Sequence, residues 1–311
     1  MRTKVLLLAV LLGAFFSSDA QRWKRYRWET IYGIGVSNFL GELGGANQVG
    51  TNYMKDYDWK ATRPTIMVGM RFKQTQQISH KANLTIGILA GDDAWTTETY
   101  RQIRNLNFRA PIVELGYNFE FYLKKEKRGH RFKLRGVRGL RNMGLYPYGF
   151  FGLSGFFFAP QGRVGGDWKW LKPLKTEGQG LSPSRDPYSL VQIAIPLGVG
   201  IKYAVDRRWL VSIEYGMRKT FTDYIDDVSS TYFPNDIILS EVGSVAALAA
   251  DPTEGAWIGS QSFQQRGDPT DNDSYMFLTI GLIIGFVLGW YVNEKFEDLS
   301  AASKKLMFWK K

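Results

Sequence analysis

The feature that most constrains the fold is an alternating stretch between residues 188 and 224. Its first half carries apolar side chains at every second position from Ile193 to Tyr203, and after a short break the pattern resumes from Trp209 to Met217. Alternate side chains of a β-strand point to opposite faces, so each half has one wholly apolar face. Strands of soluble proteins usually run about 5 or 6 residues, whereas a membrane-spanning strand needs roughly 9 to 11. The stretch therefore predicts two transmembrane strands joined by a tight turn.

Six further segments are candidate strands, and glycine recurs on the face expected to point inward. They span about 29–39, 64–73, 81–91, 111–124, 146–159 and 275–292. The segment 146–159 is aromatic on both faces, so its register stays open. The connections alternate between long and short, with 125–145 as the exception, as expected when short turns lie in the periplasm and long loops outside. We therefore expect an all-β protein, a small antiparallel transmembrane β-barrel of about eight strands with long external loops. In this register Leu197 faces lipid and Gly198 the interior, so Leu197→Arg should be harmful and Gly198→Ala milder.

The last segment has a rival interpretation as a membrane helix. Residues 276–292 carry no charge, and Gly281, Gly285 and Gly289 recur at a spacing typical of packed membrane helices. The segment is shorter than the roughly 20 residues that a helical span needs. The alternation elsewhere in the chain favours a strand.

The two ends of the chain predict its compartment. Residues 1–20 have the charged start, apolar middle and small-residue end of a secretory signal peptide, although a retained anchor is an alternative. The chain has no cysteine, which excludes a lipidated cysteine, disulfides and thiol chemistry. The expected organisation is a signal peptide (1–20), a basic periplasmic segment (21–28), an outer-membrane barrel (29–292) and a periplasmic tail (293–311).

The net charge of +11 is concentrated on one side of the predicted membrane. The long loop 225–274 is mainly acidic, whereas the predicted periplasmic turn is strongly basic. The candidate partner-binding residues of that turn are Lys124, Lys125, Lys127, Arg128, Arg131, Lys133, Arg135 and Arg138. They form either a solvated rim near lipid headgroups or a docking surface for an acidic periplasmic partner. A nucleic-acid partner is not expected for an exported chain.

Residue patterns for catalysis are sparse. The two histidines, His80 and His130, fall in predicted periplasmic turns and have no nucleophile or carboxylate set near them in the sequence. The acidic pairs Asp92–Asp93 and Asp226–Asp227 leave calcium binding open, but such pairs in loops are more often simply solvated. We therefore expect no enzyme activity, cofactor or metal.

Charged residues also occur on the predicted inner face of the barrel. They are Arg71, Glu114, Glu120, Lys202, Glu214 and Arg218. In a barrel of this size, inward charges are expected to pair and fill the lumen rather than line a pore.

Four blocks of sequence carry a resemblance to a known family. They are TEGQG at 176–180, the hairpin at 189–216, MRKTFTDYIDDVSSTY at 217–232 and RGDPTDNDSY at 266–275. In these blocks the chain resembles the PorG-type proteins of Bacteroidota, integral outer-membrane barrels of the type IX secretion system. The resemblance implies a non-enzymatic component associated with the periplasmic ring of the PorK lipoprotein and PorN, and linked to gliding motility where that occurs. The alternative is a stand-alone outer-membrane barrel that acts as a narrow porin or as an adhesin presenting loop 225–274.

Overall fold

The structure is a computed structural model that describes residues 27–41, 43, 59–126, 144–205, 208–253 and 261–286. The predicted signal peptide, most of the basic segment 21–28 and the tail 293–311 lie outside these residues. The described chain is mainly β-structure. Its strands are β1 (Trp28–Leu40), β2 (Arg63–Lys73), β3 (Ile78–Asp92), β4 (Asn107–Tyr122), β5 (Leu145–Phe158), β6 (Gln161–Val164), β7 (Asp167–Trp170), β8 (Val191–Ala204), β9 (Trp209–Thr220) and β10 (Ser274–Phe286).

Eight of these strands close into an antiparallel barrel. Each pairs with its neighbours in the order β1-β2-β3-β4-β5-β8-β9-β10, and β10 returns to β1, where Gly33 lies opposite Gly281. Closure removes the unpaired edges that an open sheet would expose. The remaining two strands, β6 and β7, form a hairpin that joins the wall only where Arg109 lies opposite Gln161.

The connections give the barrel two different ends. Strands β2 and β3 are joined by residues 74–77, at the end where β1 begins and β10 ends; we call this the short-turn end. The opposite end carries the connections 41–62, 93–106, 159–190 and 221–273, and we call it the long-loop end. Residues 123–144 are the one extended connection at the short-turn end, as the sequence predicted.

The predicted eight-stranded fold is confirmed, and strand ends differ from the prediction by only a few residues. β5, whose aromatic residues on both faces hid its register, points Tyr146, Tyr148 and Phe150 inward. Residues 274–286 form a strand that pairs on both sides, so the rival helix is wrong over this range. Within the described residues, no helix is long and apolar enough to cross a bilayer.

The outer wall of the barrel is an apolar belt. Its side chains come from every barrel strand, and Ile34, Leu115 and Leu197 are 70%, 66% and 65% exposed. A continuous apolar surface of this size is not stable in water and marks an interaction with lipid or another apolar phase. Together with strand lengths of 11 to 16 residues, the belt shows a transmembrane barrel.

The inner wall packs closely at Gly198. A methyl group built on Gly198 would lie 2.3 Å from the carbonyl oxygen of Tyr215 and 2.7 Å from Cα of Gly216. Those atoms belong to the backbone of β9, which cannot yield as a flexible side chain does. Glycine at position 198 therefore allows the close approach of the β9 backbone, and we expect Gly198→Ala to destabilise the barrel. That it is milder than Leu197→Arg stays a prediction.

The long-loop end is closed by a folded cap, which we define as residues 93–106, 171–190 and 221–273 as far as they are described. It contains three short helices, α1 (Thr99–Arg104), α2 (Asn235–Glu241) and α3 (Ser244–Ala250). Ile225 and Val228 of the cap are buried among aromatic side chains of the barrel mouth, including Phe108, Phe158 and Phe277. This apolar contact fixes the cap over the lumen.

Candidate functional site

Among the described residues, the lumen contains ten buried charged side chains that balance in sign. Five are basic: Arg71, Lys73, Lys81, Lys202 and Arg218. Five are acidic: Glu29, Glu114, Glu120, Glu126 and Glu214. An unpaired buried charge is very costly, so a balanced set of this kind needs each member to contact an opposite charge.

These charged side chains form three layers along the barrel axis, and Arg71 lies in the middle layer. Its guanidinium donates to Glu29 at 3.0 Å and to Glu120 at 2.9 Å, and Glu214 lies 3.8 Å away. Lys81 donates to Glu214 from the opposite side. The planar fork of arginine suits such multiple pairing, because its donors diverge in fixed directions.

The layer nearest the short-turn end includes a residue from outside the strands. Glu126 follows β4 in the chain, yet its carboxylate is buried and accepts from Lys73 at 2.5 Å and Lys202 at 2.6 Å. Lys73 also lies 2.7 Å from Glu29. The start of the long connection 123–144 is thereby fixed to the barrel interior.

The layer nearest the cap contains one ion pair, between Arg218 and Glu114. Arg218 donates from Nε and Nη2 to the two oxygens of Glu114 at 3.1 and 3.2 Å, and the Tyr275 hydroxyl donates to the same carboxylate at 2.7 Å. The Phe277 ring lies under the guanidinium, with its centroid 4.4 Å from Cζ. This two-point pairing fills the lumen at the end nearest the cap.

Little space remains between these layers. A lumen cavity beside Lys81, Phe150 and Glu214 has a volume of about 10 Å³. That is about the least volume that holds a single water molecule. At this level, the described side chains therefore fill the lumen.

Sequence reasoning placed six of the ten charges and missed Glu29, Lys73, Lys81 and Glu126. The structure places all six predicted residues, Arg71 to Arg218, in the lumen and pairs each of them. Strand parity could have found Lys73, because it lies two residues after Arg71 on the same face. Glu126 carries no such signal, since it reaches the lumen from a connection.

A second polar cluster lies in the cap, and we call it the cap cluster: Thr176, Glu177, Tyr188, Asp226, Asp227, Ser229, Ser230 and Arg266. Buried Glu177 accepts from the backbone of Ser229 at 3.0 Å and from Arg266 Nη1 at 2.9 Å. The Ser230 hydroxyl donates to it at 2.7 Å. Arg266 also donates to the Asp227 carbonyl at 2.7 Å. This ion pair thus joins two connections of the long-loop end, 159–190 and 221–273.

Asp227 has two hydroxyl donors of its own. Thr176 donates to Oδ2 at 2.5 Å and Tyr188 donates to Oδ1 at 2.6 Å. Asp227 takes a positive φ of 65°, which is uncommon for a residue other than glycine. Burial raises the pKa of its carboxyl to about 6, although Arg266 and the two hydroxyls oppose the rise.

The pKa values of two neighbouring carboxyls are also raised. Burial raises the pKa of Asp226 to about 7, although its oxygens accept from the backbone of Val228 at 3.0 Å and of Leu43 at 3.2 Å. Burial also raises the pKa of Asp223 to about 8, with Asp226 and Glu177 adding repulsion. Burial therefore shifts all three carboxyls towards the protonated form.

The other predicted site residues are only partly described. Lys124 and Lys125 are exposed at the short-turn end, and the six remaining members of the basic set, from Lys127 to Arg138, lie outside the described residues. His80 lies in β3 and not in a turn; its ring contacts the Tyr117 hydroxyl at 2.8 Å. His130 lies outside the described residues.

The acidic pairs considered for calcium have partners within the protein. Asp93 pairs with Arg104 at 2.7 Å, and Asp92 accepts from the backbone of Ala94 at 2.9 Å. Asp226 and Asp227 have the hydrogen bonds given above. Over the described part of the chain, no three acidic or histidine side chains meet in an arrangement suited to a metal ion.

Comparison with known proteins gives structural neighbours only. No protein-family model matches the chain, and no curated protein matches its sequence. Among solved structures, Neisserial surface protein A shares 8% identity at a TM-score of 0.35, covering 83% of this chain and 96% of its own. Ail of Yersinia pestis, solved with a heparin analogue, has 8% identity and a TM-score of 0.35 over 83% and 99% of the chains. OprG of Pseudomonas aeruginosa has 9% identity and a TM-score of 0.33 over 84% and 95%. The eight-stranded fold of this protein is established by its own strand pairing.

Proposed function

We propose that the protein is a non-enzymatic component of type IX protein secretion in the outer membrane, delivered there by its N-terminal signal peptide. In this role it associates with the periplasmic ring of the PorK-type lipoprotein and PorN, and it serves gliding motility where that occurs. Its barrel acts as a membrane anchor with two binding ends and carries no substrate through its own lumen.

The observation that carries this proposal is the arrangement of the blocks behind the family resemblance. Glu177 belongs to the block 176–180, Asp227 and Ser229 to 217–232, and Arg266 to 266–275. These three separate blocks meet in the cap cluster through the hydrogen bonds of Glu177 and Arg266. Residues that form one buried network constrain each other's identity, so shared blocks of this kind support a shared structure.

The filled lumen argues against the porin alternative. Arg71 and Lys202 are fully buried in ion pairs, and the cavity of about 10 Å³ does not admit a hydrated solute. A barrel that conducts would need most of the ten buried charged side chains of the lumen to rearrange together. An anchor or assembly role requires no such change.

The partner-binding part of the proposal concerns the short-turn end. Lys124 and Lys125 are exposed there, directly before Glu126 enters the lumen. The sequence continues with Lys127, Arg128, Arg131, Lys133, Arg135 and Arg138. Several like charges together attract an acidic periplasmic partner, although each exposed pair contributes only about 0 to 1 kcal/mol.

The test reverses four of these charges together: Lys127, Arg128, Arg131 and Lys133 to Glu. We expect the barrel to insert, as heat-modifiable gel migration would show, while copurification of the periplasmic ring and secretion are lost. The control reverses Lys304, Lys305, Lys310 and Lys311 in the tail, which changes the charge equally. If the first variant is folded and still holds its partner and secretes, the basic turn is only a solvated rim.

Orientation can be tested separately because the chain has no native cysteine. We expect Asn235→Cys, in α2 of the cap, to react with an impermeant maleimide on intact cells. Arg135→Cys should react only after the envelope is opened. Labelling in the reverse order would put the cap in the periplasm and remove the proposed docking end.

A stand-alone adhesin or porin would show an activity that does not need the secretion ring. An adhesin would bind host or matrix surfaces through the cap with the secretion ring absent, and a porin would conduct in a planar bilayer. We expect neither activity from the purified barrel. Surface binding that survives deletion of the ring genes and leaves secretion intact would favour the adhesin.

A further inference from the structure

The β6–β7 hairpin carries a set of arginine and tryptophan side chains on one face. Arg109 of β4 lies opposite Gln161 of β6, which in turn lies opposite Trp170 of β7. One step further from the barrel, Arg163 lies opposite Trp168. Residues directly opposite in antiparallel strands project to the same face, so these five side chains form one patch, the hairpin patch.

This patch continues the lipid-facing wall. In β4 the odd-numbered residues point outward, and Leu115 and Val113 are exposed there. The outward row from Phe121 to Pro111 rises about 25 Å when each residue adds about 3.3 Å and the strand tilts by about 40°, which is the height of the apolar band of such barrels. Arg109 comes next on the same face. It therefore lies at the level of the lipid headgroups around the long-loop end.

The two arginines retain free binding capacity. Arg109 uses Nε to donate to Gln161 at 2.7 Å, and its guanidinium stacks on Trp168 with Cζ 4.3 Å from the ring centroid. Arg163 uses Nε to donate to the Gly166 carbonyl at 3.3 Å. Within the described residues, neither arginine forms a salt bridge or uses its terminal nitrogens. Those nitrogens form the planar fork that binds phosphate oxygens.

The acidic groups near the patch do not cancel it. Asp167 lies 3.4 Å from Lys169, so that pair contributes no net charge. Asp92 ends β3 beside Asn107, and its Oδ1 caps the turn that follows by accepting from Ala94. The two arginines therefore exceed the one remaining carboxylate. Trp168 and Trp170 are 39% and 52% exposed, and tryptophan is enriched at the boundary between hydrocarbon and water.

We propose that the hairpin patch binds the phosphate-bearing headgroup of an anionic lipid in the leaflet around the long-loop end. The arginine forks hold the phosphate, and the two indole rings lie among the headgroups and upper chain segments. The patch selects a lipid over a soluble anion because its face is continuous with the apolar wall, where the chains of the bound lipid pack.

The test measures which lipid the purified full chain retains. Native mass spectrometry of the folded protein in detergent, with equal amounts of phosphatidylglycerol and phosphatidylcholine, reports the ratio of bound lipids. We expect wild type to prefer phosphatidylglycerol and R109Q/R163Q to lose about fivefold or more of that preference, given the attraction of basic residues to an anionic lipid surface. R109K/R163K keeps the charge but loses the planar forks, so it should keep only part of the preference.

Two comparisons decide the outcome. K60Q/K219Q removes two positive charges elsewhere at the long-loop end and should leave the preference unchanged; an equal loss there would show an effect of net charge alone. Glycerol phosphate, a headgroup without chains, should not displace the lipid at matched concentration. Its displacement of the lipid, or an unchanged preference in folded R109Q/R163Q, would overturn the proposal.

Discussion

The lumen and the cap are both built from buried charges, but they are assembled in opposite ways. Apart from Glu126, the lumen partners lie on strands, and strand register places Glu29 directly opposite Arg71. Cap partners come from loops, and Glu177 and Arg266 are 89 residues apart in the chain. The lumen set balances in sign, whereas the cap cluster has more carboxylates than arginines. A scaffold that is fixed by backbone pairing can hold a charge-balanced core, while the loop assembly here holds an excess of buried carboxyls.

Because of this difference, a change in the lumen and a change in the cap should have different consequences. Lumen charges can rearrange only if barrel strands separate, and separation of the strands would unfold the barrel. Cap contacts can open locally, because loops have lower local stability than the strands that carry them. Changes in the lumen should therefore affect insertion, and changes in the cap should affect only the long-loop end.

The largest effect is expected for Arg71→Met. It leaves Glu29 and Glu120 buried without their central partner, and breaking a buried charge network in this way costs about 3 to 5 kcal/mol. We expect little folded barrel by heat-modifiable migration and a lower urea midpoint for what does fold.

Two variants sharpen this test. R71M/E120Q removes one charge of each sign and should recover part of the lost stability. Lys219→Met breaks an exposed pair with Asp271 at 3.2 Å and should change stability by less than about 1 kcal/mol. If Arg71→Met were as mild as Lys219→Met, the lumen network would not stabilise the barrel.

The second effect is local and concerns Glu177→Gln in the cap. The amide cannot accept all the hydrogen bonds now made by Ser229, Ser230 and Arg266, and each hydrogen bond to a charged group contributes about 1.5 to 3 kcal/mol. We expect protease cleavage in cap loops while the barrel still migrates as a folded species. Loss of the whole barrel in this variant would show that cap and lumen form one cooperative unit.

A third, smaller effect tests how closely the inner wall packs. Gly198→Ala should destabilise the barrel by about 1 to 3 kcal/mol, since overpacking against the β9 backbone forces a shift. Gly155→Ala is the matched control, because a methyl group there meets no atom within 4 Å. Equal urea midpoints for the two variants would contradict the close approach of β8 and β9.

The same contrast explains what the sequence could predict. Alternation fixed the strands and the inward position of Arg71, Glu114 and Lys202, because strand parity is a local property. It missed the role of Glu126, which enters the lumen from a connection. It also suggested solvated pairs at Asp226–Asp227, where the structure shows a buried network. Contacts between distant loops leave no periodic signal in one sequence, and neither does the backbone approach at Gly198.

The last effect is a pH dependence confined to the cap. Burial raises the pKa values of Asp223 to about 8, Asp226 to about 7 and Asp227 to about 6, against about 3.9 in an unfolded chain. The folded cap thus binds more protons than the unfolded one, so its stability falls as pH rises from about 4 to about 8. Hydrogen exchange of amides 222–232, corrected for intrinsic rates, should show more protection at pH 5 than at pH 8, while amides of β4 change little. Asp223→Asn mimics the protonated carboxyl and should flatten this dependence. Protection that increases with pH, or the same slope in Asp223→Asn, would show that these carboxyls do not control the stability of the cap.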